Sequence, residues 1–339
     1  GQGLGNAKAK PGLVIIPTGD GFTGGEAMAR RSAEKAGAQV AVLQDLGGIK
    51  MRLGRLDGPV HLVAGDEVTL AEEAGLGRAS VLPFPHPGVL GDLRPGHQVF
   101  IADGTVRLEV IETDGLEIKT RVSDGGTVSS FKGVNLPGVT IHEPVLTDED
   151  KAALRFGVEQ EVDWVAISFV RTLEDIRYAK TYLASIGSTA SVMAKMERGE
   201  GIDNLDAILQ AVDGVMVARG DLGVEIPMER VPVVQKQVVS KANDAGKVSV
   251  IATQILSSMV ASPNPTRAEI SDIANAVLDG CDAILLSDET AVGKHPVETI
   301  KVADATIREA ERVYPYHKDL QSSGRTQAIA AAAARLVQD

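Results

Sequence analysis

The sequence of 339 residues has a single cysteine, Cys281, so no disulfide can form within it. Aromatic residues make up only 3%, too few to supply the stacking platforms on which single-stranded nucleic acids are held. No apolar run approaches the roughly 20 residues of a membrane helix, and the lysines of Gly1–Lys10 do not lead into an apolar stretch with a cleavage pattern as they would in a signal peptide. The net charge is −12 with no basic run to offset it, whereas a phosphate backbone recruits clustered Lys and Arg. Nucleic-acid and membrane binding are therefore not expected, and a cytoplasmic enzyme is. What remains is an ordinary soluble composition, 44% hydrophobic and 24% charged, in a chain long enough for one large domain and a smaller one.

From Asp163 onward short apolar runs alternate with amphipathic stretches. The runs are DWVAISFV, SVMAKME, GVMVARG, VSVIATQ and DAILLSD, and helical patterns such as VPVVQKQVVSKANDAG follow them. This is the signature of parallel strands joined by crossover helices. Thr172 is placed to cap a helix, Thr266 to cap another with Glu269 as its box partner, and Gly246 and Gly280 to end helices. Between about Arg55 and His142 the texture changes to strands and turn pairs, including Asp114-Gly115 and Asp124-Gly125. That segment reads as a small β domain inserted after the strand-like run QVAVLQDLGG, where it would stand over the open end of a barrel as a lid. A helix from Thr147 to Gln160 follows it. At the start, PGLVIIP reads as a strand, TGDGFTGGE as a glycine-rich loop and AMARRSAEKAG as a helix; after Tyr314 a linker leads to an alanine-rich helix.

The chemistry concentrates at strand ends. Lys195 and Glu197 are two apart in SVMAKMER, so both side chains leave one face of a strand. A charged pair in an apolar run is costly to bury unless satisfied; it is either an internal ion pair or a site at the open end of the strand. The next strand ends in Arg219-Gly220-Asp221-Leu222-Gly223, where glycines allow a ligand close to the backbone and Asp221 offers a second carboxylate. Two carboxylates, with other positions left to water and substrate oxygens, suit magnesium better than calcium. VSVIATQ then delivers Thr253 and Gln254, and Ser287 to Thr290 close the series.

Several long segments resemble pyruvate kinase over about residues 40 to 315. They are ADGTVRLEV, KGVNLPG, AKMERGEGIDN, DGVMVARGDLGVEIP, IATQILSSM and NPTRAEISDIANAVLDGCDAILLSDETAVGKHPVE. The resemblance implies an α/β fold: a TIM-type (β/α)8 barrel, incomplete or divergent at its start, with an inserted small β-barrel lid after its third strand. The corresponding divisions are 1–50 for the start of the barrel, 51–142 for the lid, 143–318 for the rest of the barrel, and 319–339 for a linker and the first helix of a truncated C-terminal domain. It further implies transfer of a phosphoryl group from phosphoenolpyruvate to ADP, giving pyruvate and ATP. Lys195 would neutralise the group in flight, Glu197 and Asp221 would hold Mg2+ or Mn2+, Gly220 would contact substrate, and Thr253 would stand by the carbon that is protonated. Arg52 and Lys132 match nucleotide-contacting positions, Asp103 the lid's acidic residue, and Asp45 a monovalent-cation position. A homo-oligomer formed through the barrel is compatible with it.

The sequence also departs from the family pattern. Neither a T-I-G-P-like turn nor an R-x-N-x-S-H motif is found before residue 40, S-G-E-T is replaced by Ser287-Asp288-Glu289-Thr290, and D-x-x-G-P by Asp45-Leu46-Gly47-Gly48-Ile49. Lys50, with Leu46, resembles the potassium-independent type, in which a fixed ammonium does the cation's work; K+ is not expected to be required. Two other readings stand beside an active kinase: a relic that binds metal and ligand without turnover, and a phosphoenolpyruvate/pyruvate-barrel lyase, against which the lid motifs argue.

Overall fold

The computed structural model describes residues 13–17, 25–72 and 80–314, with side chains described from residue 29. The TGDGFTGGE loop before Gly25 and the linker and helix expected after Tyr314 lie outside the described residues. The chain forms two compact units, one within residues 11–238 and one from Val239 onward.

The first unit begins with β1 (Leu13–Pro17), α1 (Gly25–Lys35) and β2 (Ala41–Asp45). β1 runs parallel to β2 with Pro17 opposite Asp45, so the strand and helix expected near the start are both present. Instead of continuing to a crossover helix, the chain enters a β-rich segment. Its strands are β3 (Val60–Leu62), β4 (Glu67–Ala71), β5 (Val81–Pro83), β6 (Gln98–Ile101), β7 (Val106–Thr113), β8 (Glu117–Asp124), β9 (Gly126–Val128) and β10 (Val134–Asn135), with a short helix α2 (Pro87–Leu90). Six of these form a sheet in the order β10-β6-β7-β8-β4-β5, and β3 pairs with β9. Alternation drives the pairing: along β8 every second residue, Ile118, Thr120 and Val122, is buried, and along β7 Val106, Leu108 and Val110. The apolar ones pack with Phe84, Leu90, Leu93 and Leu136 into a core whose buried members all lie within residues 51–141. Asp114 and Gly115, the latter at φ +89°, turn β7 into β8.

The entry and exit of this segment lie side by side, since Arg52 bridges Gly133 and the Leu53 amide donates to the Lys132 carbonyl at 2.9 Å. The chain then resumes the parallel pattern with α3 (Asp148–Glu159), β11 (Trp164–Ile167), α4 (Leu173–Ser185), β12 (Ser191–Met196), α5 (Gly199–Asp203), α6 (Leu205–Leu209), β13 (Gly214–Ala218) and α7 (Arg219–Glu225). β11 pairs in parallel with β2 on one side and β12 on the other, and β12 with β13. β13 is buried along its whole length, as a strand covered on both faces must be. α3 and α4 each start on a reciprocal capping box, Thr147 with Asp150 and Thr172 with Asp175. α3 lies tightly on β2: a Cβ at Gly157 would meet the buried Gln44 Oε1 at 2.2 Å.

α8 (Val231–Asp244) leads into the second unit, which contains β14 (Val248–Ala252), α9 (Arg267–Asp279), β15 (Ala283–Leu285), α10 (Asp288–Ala291) and α11 (Pro296–Glu311). β14 and β15 are parallel. Thr266 caps α9 with Glu269 as box partner, and Gly280 ends it at φ +93°, as the sequence indicates. No described helix is long and apolar enough to cross a membrane.

Candidate active site

β12 is apolar until Lys195, and burial of that ammonium is tolerable because each of its three protons has an acceptor in reach. Nζ lies 2.9 Å from Glu197 Oε1, 3.1 Å from Asp45 Oδ1 and 2.9 Å from Ser168 Oγ. The acceptors come from the ends of three neighbouring strands, β12, β2 and β11. Only 12% of the Lys195 side chain and 1% of that of Glu197 are exposed. Burial opposes the charge of Lys195, but the carboxylates of Glu197 and Asp45 outweigh it and hold the ammonium above its ordinary pKa. Burial pushes the Asp45 carboxyl up, and the nearby charge of Glu197 adds to this while Lys195 and Lys50 oppose it. The ion-pair reading of Lys195 and Glu197 is thus realised, and the same pair stands at a strand end.

The backbone is shaped to hold these groups. Ser168 Oγ donates to the Leu46 carbonyl at 2.7 Å while it accepts from Lys195. Phe169 follows in a left-handed conformation, φ +54°, and its amide donates to Glu197 Oε2 at 2.8 Å. Both oxygens of Glu197 are therefore engaged. Gly48, at φ +64°, lets the loop after β2 pass over Ser168, since a Cβ there would stand 2.8 Å from the serine's own. Lys50 follows on this loop.

Arg219 to Gly223, expected as a glycine-relieved strand end, form the first turns of α7. Gly220 lies in this helix, and Asp221 in its first turn. Burial raises the Asp221 carboxyl, the charges of Glu197 and Asp103 raise it further, and those of Lys50 and Lys195 oppose this. Asp103 belongs to a turn in which Ala102, Asp103 and Gly104 all take positive φ, 53°, 57° and 80°. Strain of this kind in non-glycine residues is sustained where position matters. The turn adjoins α7, where Val224 would stand 3.7 Å from a Cβ at Gly104.

Arg52 and Lys132 are brought together on the paired entry and exit of the β segment, both exposed. Arg52 Nη1 donates to the Phe131 carbonyl at 2.8 Å, and the Arg52 amide donates to His86 Nε2 at 3.1 Å. Thr253 belongs to the second unit. It follows β14 directly, and it and Gln254 take φ +66° and +55°, a genuine outlier for a β-branched residue. Ser287 to Thr290 are structural in part: the buried Glu289 accepts from the amides of Leu256 and Ser287 at 3.0 and 2.8 Å.

Among the described residues no group of three or more His, Cys, Asp and Glu side chains could hold a metal by itself. The donor set fits a different arrangement. Glu197 is a buried carboxylate and Asp221 a half-buried one; burial first and the charge of Glu197 second push the Asp221 carboxyl up. A magnesium-type cation bound by one or two carboxylates, with its other positions open, would oppose that shift. Sequence reasoning missed Ser168, Arg198 and Glu225 around this site. A serine closing the apolar run WVAIS was the available signal for the first; no local pattern signals the burial of the other two.

The pyruvate kinase barrel-domain family model matches residues 23–300. Pyruvate kinase 2 of Synechocystis sp. is 42% identical over 318 residues, which cover 91% of this chain and 54% of that protein. The pyruvate kinase of Thermotoga maritima is 41% identical over 289 residues, covering 85% and 62%. A crystal structure of a pyruvate kinase from Cryptosporidium parvum superposes with a TM-score of 0.90 at 32% identity, covering 97% of this chain and 71% of that one. The chain spans roughly half to three-fifths of the length of these curated relatives. A family match across most of the chain and a close structural likeness agree: this chain belongs to the pyruvate kinase family and has its α/β, TIM-type barrel fold.

Proposed function

We propose that the chain carries out the pyruvate kinase reaction, in which the phosphoryl group of phosphoenolpyruvate passes to the β-phosphate of ADP and the enolate left behind takes a proton to become pyruvate. The observation that carries this is the Lys195 ammonium, held charged at the end of β12 beside the carboxylates of Glu197 and Asp221. Phosphoryl transfer needs positioning and positive charge on the equatorial oxygens rather than covalent help, and one such charge can be worth about 10³–10⁵ in rate. Lys195 is the side chain to supply it, exchanging an acceptor of its own for a phosphoryl oxygen.

Family members use a divalent cation, and here Glu197 and Asp221 would hold Mg2+ or Mn2+. When bound, the cation supplies charge to the same oxygens as the lysine. The Gly220 backbone would contact substrate, and Thr253, on the family resemblance, would stand by the enolate carbon. The β segment of residues 51–142 would act as a lid, with Arg52 and Lys132 toward the nucleotide and Asp103 toward the cation. Lys50 supports independence from K+, since its charge acts on both Asp45 and Asp221 and would stand where a monovalent cation otherwise sits. A cytoplasmic location and a homo-oligomer formed through the barrel complete the proposal.

The experiment is pyruvate formation by the purified chain with phosphoenolpyruvate, ADP and Mg2+, beside Lys195→Met, with and without K+. Turnover that the substitution abolishes and that K+ does not stimulate is the expected result. Magnesium-dependent phosphoenolpyruvate binding without turnover would identify the non-catalytic relic instead, and cleavage of a carbon–carbon bond the lyase.

A further inference from the structure

Two buried arginines fasten the return of the β segment to the parallel sheet. Arg171 donates to the carbonyls of Ile141 and Glu143, the latter at 2.9 Å, and pairs with Asp175 of α4 at 2.9 Å. Arg198 donates through Nη2 to the carbonyls of Leu136 and Val139 at 3.3 and 3.2 Å and faces Glu225 Oε2 at 3.6 Å. The Arg198 and Glu225 side chains are only 6% and 4% exposed. Glu225 also accepts from the Asn135 side chain, so five neighbouring residues of the return, 135, 136, 139, 141 and 143, end on these charged groups.

The two fastenings differ in what lies behind them. Arg171 and Asp175 connect to α4. Arg198 directly follows Glu197, and Glu225 lies four residues, one helical turn, after Asp221 on the same face of α7. The return is thus tied, through one peptide bond and one turn of helix, to both proposed cation ligands. An apolar pair of similar volume would serve stability as well as a buried ion pair does, so stability alone does not call for arginine and glutamate here.

We infer that Arg198 is a positioning residue: with Glu225 it sets the spacing of Glu197 and Asp221, and so couples the seating of the β segment to divalent-cation affinity. This rests on the assignment of Glu197 and Asp221 as cation ligands. The test is Mn2+ titration of the whole chain without substrate, alongside hydrogen exchange of residues 134–143. Arg198→Met with Glu225→Met removes one charge of each sign, leaving the net charge at the site unchanged and no buried charge unpaired. It should weaken Mn2+ binding about tenfold, as loss of an outer-shell partner does, and speed exchange at 134–141. Arg198→Lys, which keeps the charge but not the fork, should weaken it less and decides the matter in the same way if the double variant does not fold. Arg171→Lys should loosen 141–143 and leave Mn2+ affinity unchanged. Mn2+ affinity within twofold of the parent in the Arg198 variants would overturn the coupling, as would an equal loss in Arg171→Lys. Absence of Mn2+ binding by the parent chain would instead overturn the ligand assignment itself.

Discussion

Lys195→Met tests the electrostatics of the site apart from its chemistry. Methionine fills nearly the same volume, so the change is chiefly the loss of one buried positive charge. Glu197 and Asp45, 2.9 and 3.1 Å from Nζ, are then left facing each other. Breaking a buried pair by removing one partner costs about 3–5 kcal/mol, a large share of the roughly 5–15 kcal/mol by which a domain is stable. Two conditions should restore part of it. A divalent cation can replace the lost charge, and at a hundred times its dissociation constant it contributes about 2.7 kcal/mol. Acid should also help, because burial already raises the Asp45 carboxyl: a carboxyl with a raised folded-state pKa binds its proton more tightly when folded, so its penalty falls as pH drops through that value. Urea and thermal unfolding at pH 7 and pH 5.5, with EDTA or with Mg2+, would measure this. A Lys195→Met chain as stable as the parent at pH 7 in EDTA would refute the idea that the ammonium offsets the two carboxylates.

Asp221→Asn should stabilise the metal-free chain at neutral pH by about 0.5–2 kcal/mol, the usual range of a single stabilising substitution, while weakening Mn2+ binding. Because the folded state raises the Asp221 carboxyl, the gain should be full above that raised value and vanish as pH falls below the ordinary carboxylate range; a gain independent of pH would contradict the account. Gly157→Ala should destabilise by about 1–3 kcal/mol, the cost of overpacking, because the new Cβ would meet Gln44 Oε1 at 2.2 Å. Urea midpoints would show it, and pairing the change with Gln44→Ala should recover much of the loss.

What the sequence made legible follows a physical division. The end of β12, with Lys195 and Glu197, could be read because a charge inside an apolar run is rare and needs a reason. Thr172, Thr266 and Gly280 could be read because capping depends on three or four neighbouring residues. By contrast, Asp45 meets Lys195 across 150 positions of chain, and Ser168 meets Leu46 across 122. No local pattern encodes such meetings. Arg219 to Gly223 form a helix although two glycines disfavour it, an instance of tertiary context overriding propensity. Arg198 and Glu225 were indistinguishable from solvated charges, since burial of a charged side chain is decided by the elements around it.

The bridge between Arg52 and Gly133 has a consequence for how the chain finds its fold. β2 and β11 are held together by contacts such as the Val42 amide on Asp163, 121 positions apart, a separation that slows folding. The β segment has a core of its own and meets itself at Arg52 and Gly133, so once formed it acts as a short circuit across about 80 residues. The loop still to be closed then shrinks to about 40 residues, a saving of about 1 kcal/mol in chain entropy. The order of events that this favours, β segment first and the β2–β11 pair afterwards, would appear in pulsed hydrogen exchange as early protection of β7 and β8.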